Sequence, residues 1–183
     1  MNDLEGTTVL LGVTGGIAAY KAAYIVRGLV RRGADVRVVM TPAARDFITP
    51  LTLATLSKHP VPSQLFDDEG NWADHVHLGT ASDVFVIAPA TANTLAKMAH
   101  GLCDNLLLAT YLSATCPVLV SPAMDLDMWN HPATRRNLET LRSDGVHVLE
   151  PDAGELASGL TGPGRLPEPE AIIDKTVRVL AAR

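Results

Sequence analysis

Two carboxylates framed by soft apolar side chains stand in residues 122–129, Pro-Ala-Met-Asp-Leu-Asp-Met-Trp. An ordinary connection would be Gly, Ser and Lys. Met124, Met128 and Trp129 around Asp125 and Asp127 instead suit a concave site for a flat ligand or a partner surface. The plainer reading is a core-facing loop whose Met and Trp plug the end of a sheet. A second chemistry-bearing stretch is Gly12-Val13-Thr14-Gly15-Gly16-Ile17-Ala18. Free backbone N–H groups at such a turn, with a helix dipole behind them, favour an anion. The spacing is not G-x-G-x-x-G, and Thr41 rather than an acid closes the second strand, which disfavours a dinucleotide and favours a single phosphate. A tight turn with no ligand is the alternative. Thr91, Asn93 and Thr94 in Pro89-Ala90-Thr91-Ala92-Asn93-Thr94 offer small polar groups for a phosphate or a ring carbonyl, although one of them caps the helix that follows. His75 and His77 in Asp74-His75-Val76-His77-Leu78 diverge whether the segment is extended or helical, so they make poor joint ligands. With no H-E-x-x-H and no Cys cluster, no metal is expected. Finally, residues 154–165 have the composition of a lid with hinge glycines, and Leu156, Ala157 and Leu160 argue against simple disorder.

These residues need a scaffold that brings loop ends together. Thr7–Val13, Val36–Met40, Asp83–Ala88, Pro117–Val120 and Val146–Leu149 read as buried strands. Ile17–Arg32, Thr49–Leu56, Asn93–Leu112, His131–Asp144 and Glu170–Ala182 read as helices, with Gly33 and Gly145 as stops and Thr41 a candidate cap before Pro42. Pro60–Trp72 reads as irregular surface, and Ala153–Pro169, with four Gly and three Pro, has no period. Strand and helix alternate, which predicts an α/β fold with a parallel sheet between two helical layers. The 183 residues suit one domain, 1–183. Hydrophobic residues are 47% but aromatics only 4%, the composition of a core built from aliphatic strands covered on both faces.

Bulk properties exclude several classes. The net charge is −5 with the signs interspersed, so there is no Lys/Arg stripe for nucleic acid. Cys103 and Cys116 cannot form a disulfide framework, which suggests a reduced, cytoplasmic chain. The N-terminus has no signal-peptide pattern, and no apolar run approaches the roughly 20 residues of a membrane span.

Taken together, the motifs resemble the flavin-dependent cysteine decarboxylase family. Gly15-Gly16-Ile17-Ala18-Ala19-Tyr20-Lys21 is similar to its first flavin loop, and His75 to its His-hydrophobic-x-Leu motif. Pro89–Thr94 is similar to Pro-x-Ser-Ala-Asn-Thr, Pro122–Trp129 to Pro-Ala-Met-x-x-x-Met-Trp, and Gly154–Arg165 to the family's substrate clamp, here about 153–169. The resemblance covers essentially the whole chain. It implies a flavodoxin-like three-layer sheet and FMN held by Gly15, Gly16, Ile17, Thr41, Thr91, Ala92, Asn93, Thr94 and Ala123. It implies a small phosphorylated thiol substrate met by Asp125, Met128, Glu155, Ala157, Arg165 and Leu166, with His75, Ser158 and Asp125 in catalysis. It also implies homotrimers or dodecamers with sites between subunits, and in many bacteria a fused ligase joining phosphopantothenate to cysteine. The expected reaction is decarboxylation of the cysteine moiety of 4'-phosphopantothenoylcysteine. A β-thiol acid has no electron sink, and oxidation of its thiol-bearing carbon to a thioaldehyde would create one.

Two positions depart from the family. Asp125 replaces an Asn that handles the substrate carboxylate, and an ionised Asp125 would repel that group. Ser158 replaces a Cys that protonates the enethiol, and a hydroxyl is a far weaker acid than a thiol. These changes keep open a peptidyl-cysteine decarboxylase that releases the enethiol, and an FMN-binding regulatory subunit. A flavin prenyltransferase of related fold should lack both the Met-Trp signature and the clamp.

Overall fold

The protein is represented by a computed structural model that describes residues 2–66, 70 and 72–182. Its elements run β1 (Thr8–Val13), α1 (Ala22–Arg31), β2 (Asp35–Met40), α2 (Pro50–Ser57), α3 (His75–Thr80), β3 (Val84–Ala90), α4 (Ala92–Ala99), α5 (Leu106–Ser113), β4 (Val118–Pro122), α6 (Leu126–Asn130), α7 (Pro132–Ser143), β5 (His147–Val148), β6 (Asp152–Glu155), β7 (Thr161–Arg165) and α8 (Pro169–Ala181). Single 3-10 turns at Ile17–Lys21 and Pro42–Asp46 follow β1 and β2.

Five parallel strands form one sheet in the order β2-β1-β3-β4-β5. This is the flavodoxin-like order, and the expected three-layer fold is present. The aliphatic runs explain it, since every residue of β3 and β4 is buried and a strand buried on both faces needs no polar alternation. Successive β1 side chains divide between the layers. Val9, Leu11 and Val13 pack towards α1 and α8 with Ile25, Leu29, Ile172 and Ile173. Leu10 packs the other way, with Phe85, Ile87, Leu95, Leu107 and Leu138.

Three readings of the sequence need correction. The helix expected over Ile17–Arg32 is a 3-10 turn followed by α1. The helix expected over Asn93–Leu112 is two helices, because Gly101 adopts a φ of 66° and Asn105 opens α5 by accepting the Leu108 N–H at 3.1 Å. The aperiodic segment after Leu149 is an antiparallel hairpin, β6 with β7. Its Gly and Pro content hid it, since the pairing is carried by backbone groups and not by an alternating side-chain pattern. Within the irregular stretch 60–72, Phe66 and Trp72 form an isolated bridge, while residues 67–69 and 71 lie outside the described residues.

The strand order reverses between β1 and its neighbours β2 and β3. The loops after β1 and β3 therefore diverge at the carboxyl edge and leave a crevice there. No described helix is long and apolar enough to cross a membrane.

Candidate active site

Thr14 ties the two crevice loops together. Its fully buried hydroxyl donates to the Pro89 carbonyl at 2.6 Å and accepts the Thr91 N–H at 3.0 Å. Gly15 is fixed by close approach, because a Cβ there would meet the Ala43 backbone carbonyl at 2.8 Å. Thr91 caps α4 by accepting the Thr94 N–H at 3.3 Å. That leaves the Ala92 and Asn93 N–H groups at the helix start without an intrahelical acceptor.

The loop after β4 is held from both sides. The Ala123 N–H donates to the Ala90 carbonyl at 3.2 Å, and the Met124 N–H donates to the Gly164 carbonyl at 3.0 Å. Trp129 is buried beneath it, with the Arg135 guanidinium 4.6 Å from the centre of its ring. Met124, Asp125 and Met128 are left beside the crevice, and Met128 is exposed. The Asp125 carboxylate makes no capping bond to α6.

The β6–β7 hairpin closes the remaining side. Gly162 rests on Leu126 and Gly164 on the Met124 carbonyl, where a side chain at either position would collide. Gly164 also has a φ of 152°. Lys21 anchors the hairpin's base, just past β7. Its amine is buried and donates to the Leu166 carbonyl at 2.9 Å and to Glu168 Oε1 at 2.8 Å. The hydrogen bond and charge of Lys21 hold the Glu168 carboxyl below its ordinary range. Arg165 lies 4.0 Å from the same carboxylate.

Together these segments enclose a cavity of about 640 Å³. Of the residues expected to hold cofactor, Gly16, Ile17, Thr91, Ala92 and Ala123 line it; of those expected to meet substrate, Asp125, Met128, Glu155, Ala157, Arg165 and Leu166 do. Gly15, Thr41, Asn93 and Thr94 are not on its wall. Thr41 stands at the expected N-cap position before Pro42, but its hydroxyl makes no capping bond and is buried without a partner among the described residues, as is that of Ser121. Ser158 is exposed in the hairpin tip, where its hydroxyl accepts the Leu160 N–H at 3.4 Å.

His75 is also absent from the cavity wall. It opens α3 and stacks on Trp72 with ring centres 5.7 Å apart, while its Nδ1 is buried without a partner among the described residues. His77 is exposed on the same short helix. Thr14, Lys21, Trp72 and Glu168 were not singled out from the sequence. Lys21 left one signal, a lysine beside the buried stripe of Ala19, Ala22 and Ile25.

The chemistry of this space suits a flavin. Ile17, Pro89, Ala92, Ala123 and Met124 give apolar walls for a flat ring. The glycine turn and the start of α4 give N–H donors for an anion, and the volume falls in the range of small-molecule sites. Among the described residues, no three His, Cys, Asp or Glu side chains come together as a metal site.

The family model described as Flavoprotein matches residues 1–181, and the chain belongs to that family. Within it, the chain stands with the flavin-dependent cysteine decarboxylases of the PPC decarboxylase type. It is 62% identical over 131 residues to a Cysteine/Cysteine sulfinic acid decarboxylase from an unknown prokaryotic organism, a match covering 71% of this chain and 36% of the relative. It is 44% identical over 171 residues to the Coenzyme A biosynthesis bifunctional protein CoaBC of Bacillus subtilis, covering 93% of this chain and 42% of that one. Among solved structures, it is similar to a Cys-to-Ser mutant of PPC decarboxylase complexed with pantothenoylaminoethenethiol. There the identity is 35%, the TM-score 0.83, and the coverage 97% of this chain and 99% of that one. The chain therefore spans well under half the length of these two curated relatives.

Proposed function

We propose that this chain is an FMN-dependent decarboxylase that acts on the cysteine moiety of 4'-phosphopantothenoylcysteine to give 4'-phosphopantetheine, in coenzyme A biosynthesis. The observation that carries the reading is one cavity walled at once by the glycine turn, the Met124–Met128 loop and the β6–β7 hairpin. Its likeness to the PPC decarboxylase structure over nearly all of both chains supports it, and so does the CoaBC relative.

Bound flavin would supply two-electron chemistry at the thiol-bearing carbon. The protein's residues do the rest. Gly16, Ile17, Thr91, Ala92 and Ala123 hold the ring and its single phosphate, with Gly15, Thr41, Asn93 and Thr94 shaping the loops behind them. Arg165, Glu155, Ala157, Leu166 and Met128 hold the substrate, and the hairpin keeps water from it. His75 moves the proton. Because His75 is outside its own chain's cavity, it reaches the site of a neighbouring copy in a homotrimer, or in a dodecamer of such trimers. Ser158 stands where the family's thiol acid would be, so reduction of the enethiol is the slow step and CO2 release is not. The ligase activity named with CoaBC would come from a fused or separate partner.

The test begins with the cofactor. Denatured holoprotein should release FMN and not FAD, identified by mass. Release of FAD, or failure to take up FMN, would remove the basis of the reading.

A further inference from the structure

An exposed aromatic pair borders His75. Phe66 and Trp72 are joined by an antiparallel bridge, and their rings lie 5.9 Å apart at a tilt of 40°. The Ala73 N–H donates to the Leu65 carbonyl at 2.9 Å and fastens the chain just beyond Trp72. Trp72 is 64% exposed and Phe66 56%, and neither belongs to a buried core cluster. Rings this exposed add little to a core. The Trp72 indole lies against the His75 imidazole instead, with the two planes 24° apart.

The helix leaves that imidazole otherwise unheld. α3 is pinned near its far end, where Gly79 sits so close to α5 that a Cβ would meet the Thr110 carbonyl at 2.9 Å. At its start, Asp74 accepts the His77 N–H at 2.8 Å, and the His75 N–H donates to the Ala73 carbonyl at 2.8 Å. These bonds set the His75 backbone, not its side chain. Its Nδ1 is buried with no hydrogen-bond partner among the described residues. A histidine that moves protons is commonly oriented by a carboxylate or carbonyl on one ring nitrogen. The stack on Trp72 takes that place.

We infer that Trp72 is a positioning residue, which fixes the plane of the His75 ring for proton transfer while Phe66 backs it. This rests on the reading that His75 moves the proton, and it holds whichever copy's cavity His75 serves. The reason is geometric. The outer torsion of a histidine is broad, and a hydrogen bond weakens steeply as donor and acceptor leave line. A flat contact on one face of the imidazole keeps both nitrogens in one plane. The indole face is apolar and electron-rich, so it accepts the neutral ring and the protonated one. It claims neither nitrogen, whereas a hydrogen-bond partner favours one protonation state. The ring is thus oriented without its proton being held, which suits a group that gives and takes a proton in one cycle.

The experiment follows CO2 release from carboxyl-labelled 4'-phosphopantothenoylcysteine by the flavin-loaded protein. Trp72→Leu and Trp72→Phe are made in the wild type, and Trp72→Leu again in His75→Asn. Trp72→Leu should lower kcat about tenfold, near the upper end of a single aromatic contact, with KM and flavin content unchanged. Trp72→Phe keeps a flat face and should retain at least about half of kcat. In His75→Asn the ring being positioned is gone, so adding Trp72→Leu should change the residual rate by less than about twofold. A full kcat in Trp72→Leu, or the same loss in both backgrounds, would overturn the inference. A second readout needs no turnover. In magnetic resonance of protein with isotope-labelled histidine rings, the His75 signal is the one missing from His75→Asn. The indole face should shield it, placing it upfield of the exposed His77 and His100, and Trp72→Leu should return it towards them. A wild-type signal among the exposed ones would overturn the inference even if a variant fails to fold. A wild type that releases no CO2 defeats the decarboxylase reading, and the signal still decides whether Trp72 orients His75.

Discussion

At the scale of the residue, His75 and His77 show how two similar side chains part ways. Each is two residues from the other, but His75 stacks on Trp72 with its Nδ1 buried and unpartnered, whereas His77 is exposed. A buried ring nitrogen with no bond among the described residues can serve a ligand, and burial without one is costly. His75→Asn is therefore expected to lower turnover by at least about 100-fold, the usual scale for losing a general acid or base, while the protein keeps its flavin. His77→Asn should behave as wild type. Steady-state CO2 release together with the flavin absorbance checks both, and a dead His77→Asn beside a normal His75→Asn would reverse the assignment. The glycine turn was legible in the sequence because its meaning is local: Gly15 has room for nothing but a hydrogen beside Ala43. Lys21 was not legible. Its partners Leu166 and Glu168 are more than 140 residues away, as separations of 145 and 147 show, and no spacing rule reports a contact made only by the fold.

At the scale of the element, the hairpin is held chiefly at its base. Lys21 fastens the end of β7, Gly162 and Gly164 let it lie against Leu126 and Met124, and the tip around Ser158 is exposed. Lys21→Met should free the base and leave the Leu166 carbonyl without its donor, at a cost of about 1–3 kcal/mol. The expected kinetic signature is a several-fold rise in KM with a smaller change in kcat, and faster amide exchange across Asp152–Arg165. Equal losses in both constants with unchanged exchange would deny the tether. Its pH dependence follows from Glu168, whose carboxyl is held below its ordinary range by Lys21. A depressed carboxyl contributes fully above the ordinary value, near 4.3, and loses its contribution as pH falls through the lowered one. The base should thus be indifferent to pH near neutrality and loosen only in acid. The five-stranded sheet was readable because buried parallel strands are continuous aliphatic runs. The hairpin and the break at Gly101 were not, since backbone pairing and a single left-handed residue leave no period in the sequence.

At the scale of the molecule, the question is what covers the apolar surface. The Asn93–Leu112 segment buries Leu106, Leu107 and Leu108 within its own chain but leaves Leu102 and Leu112 exposed. Other large exposed apolar groups lie outside it: Ile17 at 66%, Tyr20 at 54% and Tyr24 at 63% run along one side of the first helical segment, and Leu51 at 76% and Phe47 project from the α2 region. Ile17 and Tyr20 also line the cavity, so a copy docked there would border the site, as a site completed by His75 of another copy requires. Light scattering of the holoprotein should give the mass of a homotrimer or a dodecamer, and Tyr24→Glu should lower both mass and activity. An active monomer would refute the shared site.

The most direct test of the decarboxylase account is an anaerobic single turnover of the FMN-loaded protein with carboxyl-labelled 4'-phosphopantothenoylcysteine. Labelled CO2 should appear in an amount equal to the bound flavin, first with the enethiol and then with the saturated thiol. Flavin-free protein should release none, and His75→Asn should release it at least about 100-fold more slowly. Holoprotein that releases no CO2 from this substrate, or flavin-free protein that releases it equally well, would contradict the account.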